Sequence, residues 1–187
     1  MMKTQELCRV IIDENLKLLA HVQTEEVEVF MQGLDQAENI FCAAQGRSGY
    51  ILRCFCMRLT HLGCRAYFAG ETVTPRIKSG DILVVLSSSG QTAYTVELIK
   101  LAKRARAATY GVIGTKDSPM GRNLDHVVCL PVPSQNSRSS SENPSIQLLD
   151  SLFEQAAFVL LESILLEFFQ KQGSDQGGLL ERHTNLE

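Results

Sequence analysis

The stretch Asp81-Ile82-Leu83-Val84-Val85-Leu86 runs directly into Ser87-Ser88-Ser89-Gly90-Gln91-Thr92, and it limits the fold more than any other feature of the chain. A run of branched aliphatics with no polar alternation is a strand covered on both faces, as in parallel sheets flanked by helices. Four other bursts repeat the pattern: Asn39 to Ala44, Ala66-Tyr67-Phe68, Thr109 to Gly114 and His126 to Leu130. Helical stretches at 48–62 and 92–106, and a turn or short helix near 118–124, lie between them. This rhythm predicts five strands in a three-layer α/β/α sandwich.

Residues 5–20 (Leu7, Val10, Ile11, Leu16, Leu19) and 24–34 (Val27, Phe30, Leu34) carry apolar side chains at helical spacing, so two extra helices open the chain. Pro131 to Ser145 holds three prolines and six serines and reads as a loop. A long helix is expected from about Gln147 to Gln172, ended by Gly173, with apolar residues nearly all the way round. Such a helix has to be covered on more than one side, which predicts a homo-oligomer with this helix and the N-terminal pair in the interface. The 187 residues then form a single domain: N-terminal helices (1–36), a sheet core (37–131), a Ser/Pro-rich loop (132–146), and a C-terminal helix and tail (147–187).

Apolar residues at 44% supply a core, and a net charge of -3 leaves no basic excess for a nucleic-acid backbone or an anionic lipid surface. The most apolar segment, Ala156 to Phe169, is interrupted by Glu162, Ser163 and Glu167, too soon for the ~18 apolar residues of a membrane span. The six cysteines (8, 42, 54, 56, 64, 129) form no zinc knuckle, and with no recognisable export signal a cytoplasmic protein with free thiols is expected.

Ligands of an open parallel sheet sit beyond the strand carboxyl ends, and two loops suit that place. Gln45-Gly46-Arg47-Ser48-Gly49 follows the first strand; alone it is as readily a turn and cap as a binding loop. The second loop, Ser87 to Thr92, offers four hydroxyls and a glycine at a helix N-terminus, where a cap needs only one. Neutral donors at the positive end of a helix dipole suit a phosphate dianion. Dinucleotide, P-loop and nucleophile-elbow patterns are absent, which leaves sugar phosphates as the leading ligand class.

Several motifs in order then resemble the 6-phospho-3-hexuloisomerase family of the sugar isomerase (SIS) domain superfamily. They are Gly46-Arg47-Ser48-Gly49, Met57-Arg58-Leu59-x-His61-Leu62-Gly63, Gly70-Glu71-Thr72-x-Thr74-Pro75, Ser87-x-Ser89-Gly90-x-Thr92, Ser151-Leu152-Phe153-Glu154-Gln155 and Arg182-His183-x-Asn185-Leu186-Glu187. The resemblance implies a flavodoxin-like SIS fold, a homotetramer, and interconversion of 3-hexulose 6-phosphate with fructose 6-phosphate. It assigns Glu154 the proton transfer between C2 and C3 through an enediol. Among the four histidines, His183 is the best partner; it follows Glu154 by 29 residues, so a chain break or a neighbouring subunit must bring it to the pocket. Gly46, Arg47, Ser48, Ser87, Ser88, Ser89, Gly90, Gln91 and Thr92 are expected to bind phosphate and sugar, with His61, Glu71 and Thr72 as possible pocket residues. No metal and no cofactor is called for by an enediol path. Competing readings are another aldose-ketose isomerase, acting on arabinose 5-phosphate or a heptose phosphate, and a non-catalytic sugar-phosphate sensor.

Overall fold

The computed structural model of the chain describes residues 2–132, 145–173 and 176–185. Its elements are α1 (Thr4–Leu19), α2 (Thr24–Gln36), β1 (Ile40–Ala43), α3 (Gly46–His61), β2 (Ala66–Phe68), β3 (Ile82–Ser87), α4 (Ala93–Arg104), β4 (Ala108–Ile113), β5 (His126–Cys129), α5 (Ser151–Lys171) and α6 (Gln176–Arg182). The five strands form one parallel sheet in the order β2-β1-β3-β4-β5, the α/β/α sandwich that the apolar bursts predict.

β3 pairs with both β1 and β4, so all six of its residues are buried and none needs to be polar. Side-chain alternation divides the core. Ile40, Cys42, Ile82, Val84, Leu86 and Val112 face α1, α2, α3 and α5, while Phe41, Ala43, Leu83, Val85 and Ile113 face α4 and the turn at Met120 and Leu124. Thr109 fastens the start of β4: its amide and hydroxyl both donate to Asp125 Oδ2, at 2.9 and 2.8 Å, so the turn before β5 is held against it.

α5 buries Phe153, Ala156, Ala157, Leu160, Leu161, Ile164, Leu165 and Phe168 against the α3 side of the sheet. Its opposite face keeps Phe158, Val159 and Leu166 exposed, beside exposed Ile12 and Leu16 of α1. Apolarity all round the helix therefore reflects two faces: one is core, the other open in the single chain.

The helix begins at Ser151 rather than near Gln147. Leu149 has φ +43°, a conformation that ends any helix reaching it from the N-terminal side. Upstream, Glu14 of α1 takes up the polar groups instead, accepting from Ser145 Oγ (2.7 Å), the Ile146 amide (3.1 Å) and Gln147 Nε2 (2.9 Å). The expected loop at 132–146 falls largely outside the described residues. At 118–124 the chain forms a turn, not a helix.

Burial pushes the Glu14 carboxyl up, but the hydrogen bonds from Ser145, Gln147 and Ile146 outweigh it and hold it below its ordinary 4.5. With the folded value below the unfolded one, this stabilisation is present above the unfolded value and disappears as pH falls through the folded one. Glu14→Gln is therefore expected to lower stability by about 1 kcal/mol at pH 7, a figure already reduced for the partial exposure of the site. Urea titrations at pH 7 and pH 4 should show the gap between variant and parent narrowing in acid; an equal gap at both would remove the assignment.

Candidate functional site

Strands β1 and β3 are neighbours, with Ala43 opposite Val85, yet their chains leave in different directions: β1 leads through α3 to β2 on one side, β3 through α4 to β4 on the other. That reversal opens a crevice at the strand carboxyl ends. Both loops singled out in the sequence end there.

After β1 the chain is extended at Gln45 and turns at Gly46, whose φ of +60° favours glycine. A Cβ on Gly49 would lie 3.1 Å from the Ala44 carbonyl, so the first turn of α3 sits close over the strand end. Arg47 and Ser48 stand in this first turn of α3. After β3, Gly90 has φ +62°, and a Cβ there would fall 2.2 Å from Ser118 Oγ; Ser118 belongs to the turn whose Met120 amide donates to the Gly90 carbonyl at 3.0 Å. Ser87 Oγ accepts from the Gly90 amide (3.1 Å), Ser89 Oγ from the Gln91 amide (3.2 Å), and Ser88 Oγ donates to Asp150 Oδ1 (3.2 Å). Thr92 is the N-cap residue of α4 and makes no side-chain cap bond. The hydroxyls are thus partly engaged: Ser87 and Ser89 shape the loop as acceptors, each retaining a hydrogen to donate.

The Ser88–Asp150 contact ties the serine loop to the entrance of α5, one turn before Glu154. Glu154 is buried, and its Oε2 accepts from Arg47 Nε at 2.5 Å. Arg47, expected near phosphate, therefore engages the carboxylate. The side chain of Glu154 is only 10% exposed against 69% for Arg47, so the guanidinium lies on the solvent side of the pair. A cavity of about 530 Å³ between α1, α3 and α5 is lined by both residues together with Asn15, Gln155, Ile51 and Phe158.

A second, more polar cavity of about 680 Å³ lies across the β1 and β2 ends, bounded by Gln45, Gly46, Tyr50, Arg53, Gly70 and Tyr94. Glu71 does not line it; its carboxylate pairs with Arg53, whose guanidinium rests 3.8 Å over the Phe68 ring. Thr72 is exposed beside it. His61, by contrast, is buried at the far end of α3, with its ring tilted against that of His183, the centroids 5.0 Å apart. Positions 47 and 61 are fourteen helical steps apart, about 21 Å, so within one chain His183 and Glu154 are not brought together. Sequence reading overlooked Tyr50, Arg53, Tyr94 and Asn15. Tyr50 and Arg53 carried a usable signal, since they stand at i+4 and i+7 from Gly46 and so share its helix face.

A doubly wound parallel α/β protein with paired ligand loops at its switch point is the class this geometry defines. The family model for the SIS domain matches residues 33–152, and the chain belongs to that family. The match spans the sheet and both loops and ends two residues before Glu154. Among relatives, the 3-hexulose-6-phosphate isomerase of Mycobacterium gastri is 36% identical over 95% of this chain and 88% of its own. The Bacillus subtilis protein of the same name is 30% identical over the whole of both chains. A crystal structure from Methanococcus jannaschii, for which a molecular function of 3-hexulose-6-phosphate isomerase was inferred, covers 97% of this chain and 99% of its own at TM-score 0.83 and 28% identity.

Alanine at Gly90 meets both the positive φ and the Ser118 hydroxyl. Gly90→Ala is expected to destabilise the protein by about 1–3 kcal/mol. Chemical denaturation checks this, and a change below a few tenths would mean that the loop relaxes freely.

Proposed function

We propose that this protein is a ketose-phosphate isomerase interconverting 3-hexulose 6-phosphate and fructose 6-phosphate. One observation carries the reading: a loop rich in neutral donors at the start of α4 is fastened through Ser88 and Asp150 to the helix that holds a buried carboxylate, Glu154. The names and near-complete overlap of the relatives support the same substrate class.

The phosphate would lie on the Ser87–Thr92 loop, with Gly46 and Ser48 flanking the sugar. Glu154 takes the C2 proton, and the C–H electron pair becomes the C2=C3 bond of an enediol. The same carboxylate then returns a proton to C3 on the same face. A second group passes a proton between O2 and O3, and His183 of an adjoining copy is assigned this step, since its own chain holds it beside His61. The open apolar face of Phe158, Val159, Leu166, Ile12 and Leu16 supports a homo-oligomer, a tetramer in this reading, that shares sites between subunits. A cytoplasmic setting fits the six free thiols and a described chain without a helix long and apolar enough to cross a membrane.

Turnover of 3-hexulose 6-phosphate, compared with arabinose 5-phosphate and heptose phosphate, tests the substrate. Ser89→Ala and Thr92→Ala should mainly raise KM, since they hold the non-reacting end; unchanged KM in both would remove the phosphate assignment. Glu154→Gln should abolish turnover and keep binding of fructose 6-phosphate. Oligomers refolded from a mixture of Glu154→Gln and His183→Ala chains should recover activity, because some sites then receive both intact groups. Mixtures as inactive as either parent would mean that sites are not shared.

A further inference from the structure

Forming the enediolate places negative charge on the oxygen at C3, and proton transfer by Glu154 alone does not stabilise it. We propose that Arg47 is a catalytic residue that binds this developing oxyanion through its terminal nitrogens while its Nε holds Glu154. The inference rests on the reading of Glu154 as the base. It moves Arg47 from the phosphate end of the substrate to the reacting end.

Three observations support it. Arg47 Nε already donates to Glu154 Oε2, and no bond of its two terminal nitrogens is found among the described residues, so donors remain on the solvent side of the carboxylate. A guanidinium is a planar fork, so it can hold one oxygen through Nε and present further N–H groups to another a few ångströms away. Second, the phosphate loop is shaped without Arg47: Ser87 and Ser89 accept from their own loop amides, and Ser88 donates to Asp150. Third, the other arginine on this end of α3, Arg53, is occupied by Glu71 and packed over Phe68. Gly46, with φ +60° and open space around its missing Cβ, sets the turn that directs Arg47 to α5 rather than out over the strand ends.

The electron accounting is closed without an outside oxidant. Glu154 removes the proton at C2, the C–H pair forms the C2=C3 double bond, and the carbonyl π pair moves to O3, where the Arg47 N–H groups meet it. O3 takes up the proton that O2 gives up, the O2 lone pair re-forms a carbonyl at C2, and the double-bond pair takes the proton from Glu154 at C3. C2 is oxidised and C3 reduced within one molecule. Donors aimed at a developing oxyanion are worth about 10²–10³ in kcat when removed singly.

The test compares Arg47→Met and Arg47→Lys with the parent in the intact oligomer, reading kcat and KM for 3-hexulose 6-phosphate and inhibition by inorganic phosphate. The expected result for Arg47→Met is a kcat lower by about 10²–10³, a KM and phosphate inhibition near those of the parent, and partial recovery of kcat on adding guanidine at millimolar levels. Arg47→Lys should fall between, because an ammonium cannot hold Glu154 and reach O3 in the same planar geometry; should Arg47→Met fail to fold, Arg47→Lys carries the same test through its kcat. A raised KM with weakened phosphate inhibition and unchanged kcat would make Arg47 a phosphate handle and overturn the inference. Lowered thermal stability with normal kcat would also overturn it, leaving only a tie between α3 and α5. Glu154→Gln is run alongside: turnover surviving there sinks the base assignment itself, whereas an inactive Glu154→Gln with a fully active Arg47→Met sinks only the role of Arg47.

Discussion

The side-by-side parallel pairing of β1 with β3 is the constraint on which the rest of the molecule depends. Because Ile40 to Ala43 are hydrogen-bonded in register with Ile82 to Val85, and the two crossovers depart to opposite sides, the chain has to leave an opening above that pair. Two glycine turns, the start of α3, the start of α4, and the beginning of α5 fastened by Ser88 and Asp150 are gathered at this opening. A sheet in which β2 followed β1 toward β3 would have no such reversal and no such crevice.

The second organising fact is a buried charge. A carboxylate with little access to water is tolerated only when a donor compensates for lost hydration, and Glu154 has Arg47. The exposed side of that pair belongs to the arginine, so any molecule approaching the carboxylate from solvent meets the guanidinium as well. Evolution of this arrangement requires α3 to start at a particular angle, which the left-handed turn at Gly46 allows. Packing supports the pair from behind, where Phe153, Ala156 and Ala157 lock the first turns of α5 into the core.

Particular elements show how far local chemistry reaches. β3 was legible because full burial on both faces leaves a continuous aliphatic run, and the serine loop because a helix N-terminus with so many hydroxyls is unusual. The start of α5 was not: Gln147 to Asp150 have nothing against helix in their own residues, and it is Glu14, more than 130 positions earlier, that accepts the hydrogen bonds of Ile146 and Gln147. The partner of Arg47 was equally hidden, lying 107 residues away on an element whose orientation depends on the packing of three helices. Arg53 and Glu71 likewise meet only because β2 carries the Gly70 turn back alongside α3.

From its residues alone the chain determined its layer architecture, its strands and the two loops that face the crevice, because apolar periodicity and helix-start chemistry act over a few residues. Which charged groups meet there was decided by the tertiary structure: Arg47 with Glu154, Arg53 with Glu71, and His183 with His61 at the opposite end of α3. Those pairings depend on distances between elements far apart along the chain, and such distances are set by how whole helices pack across the sheet, a quantity that no local run of residues contains.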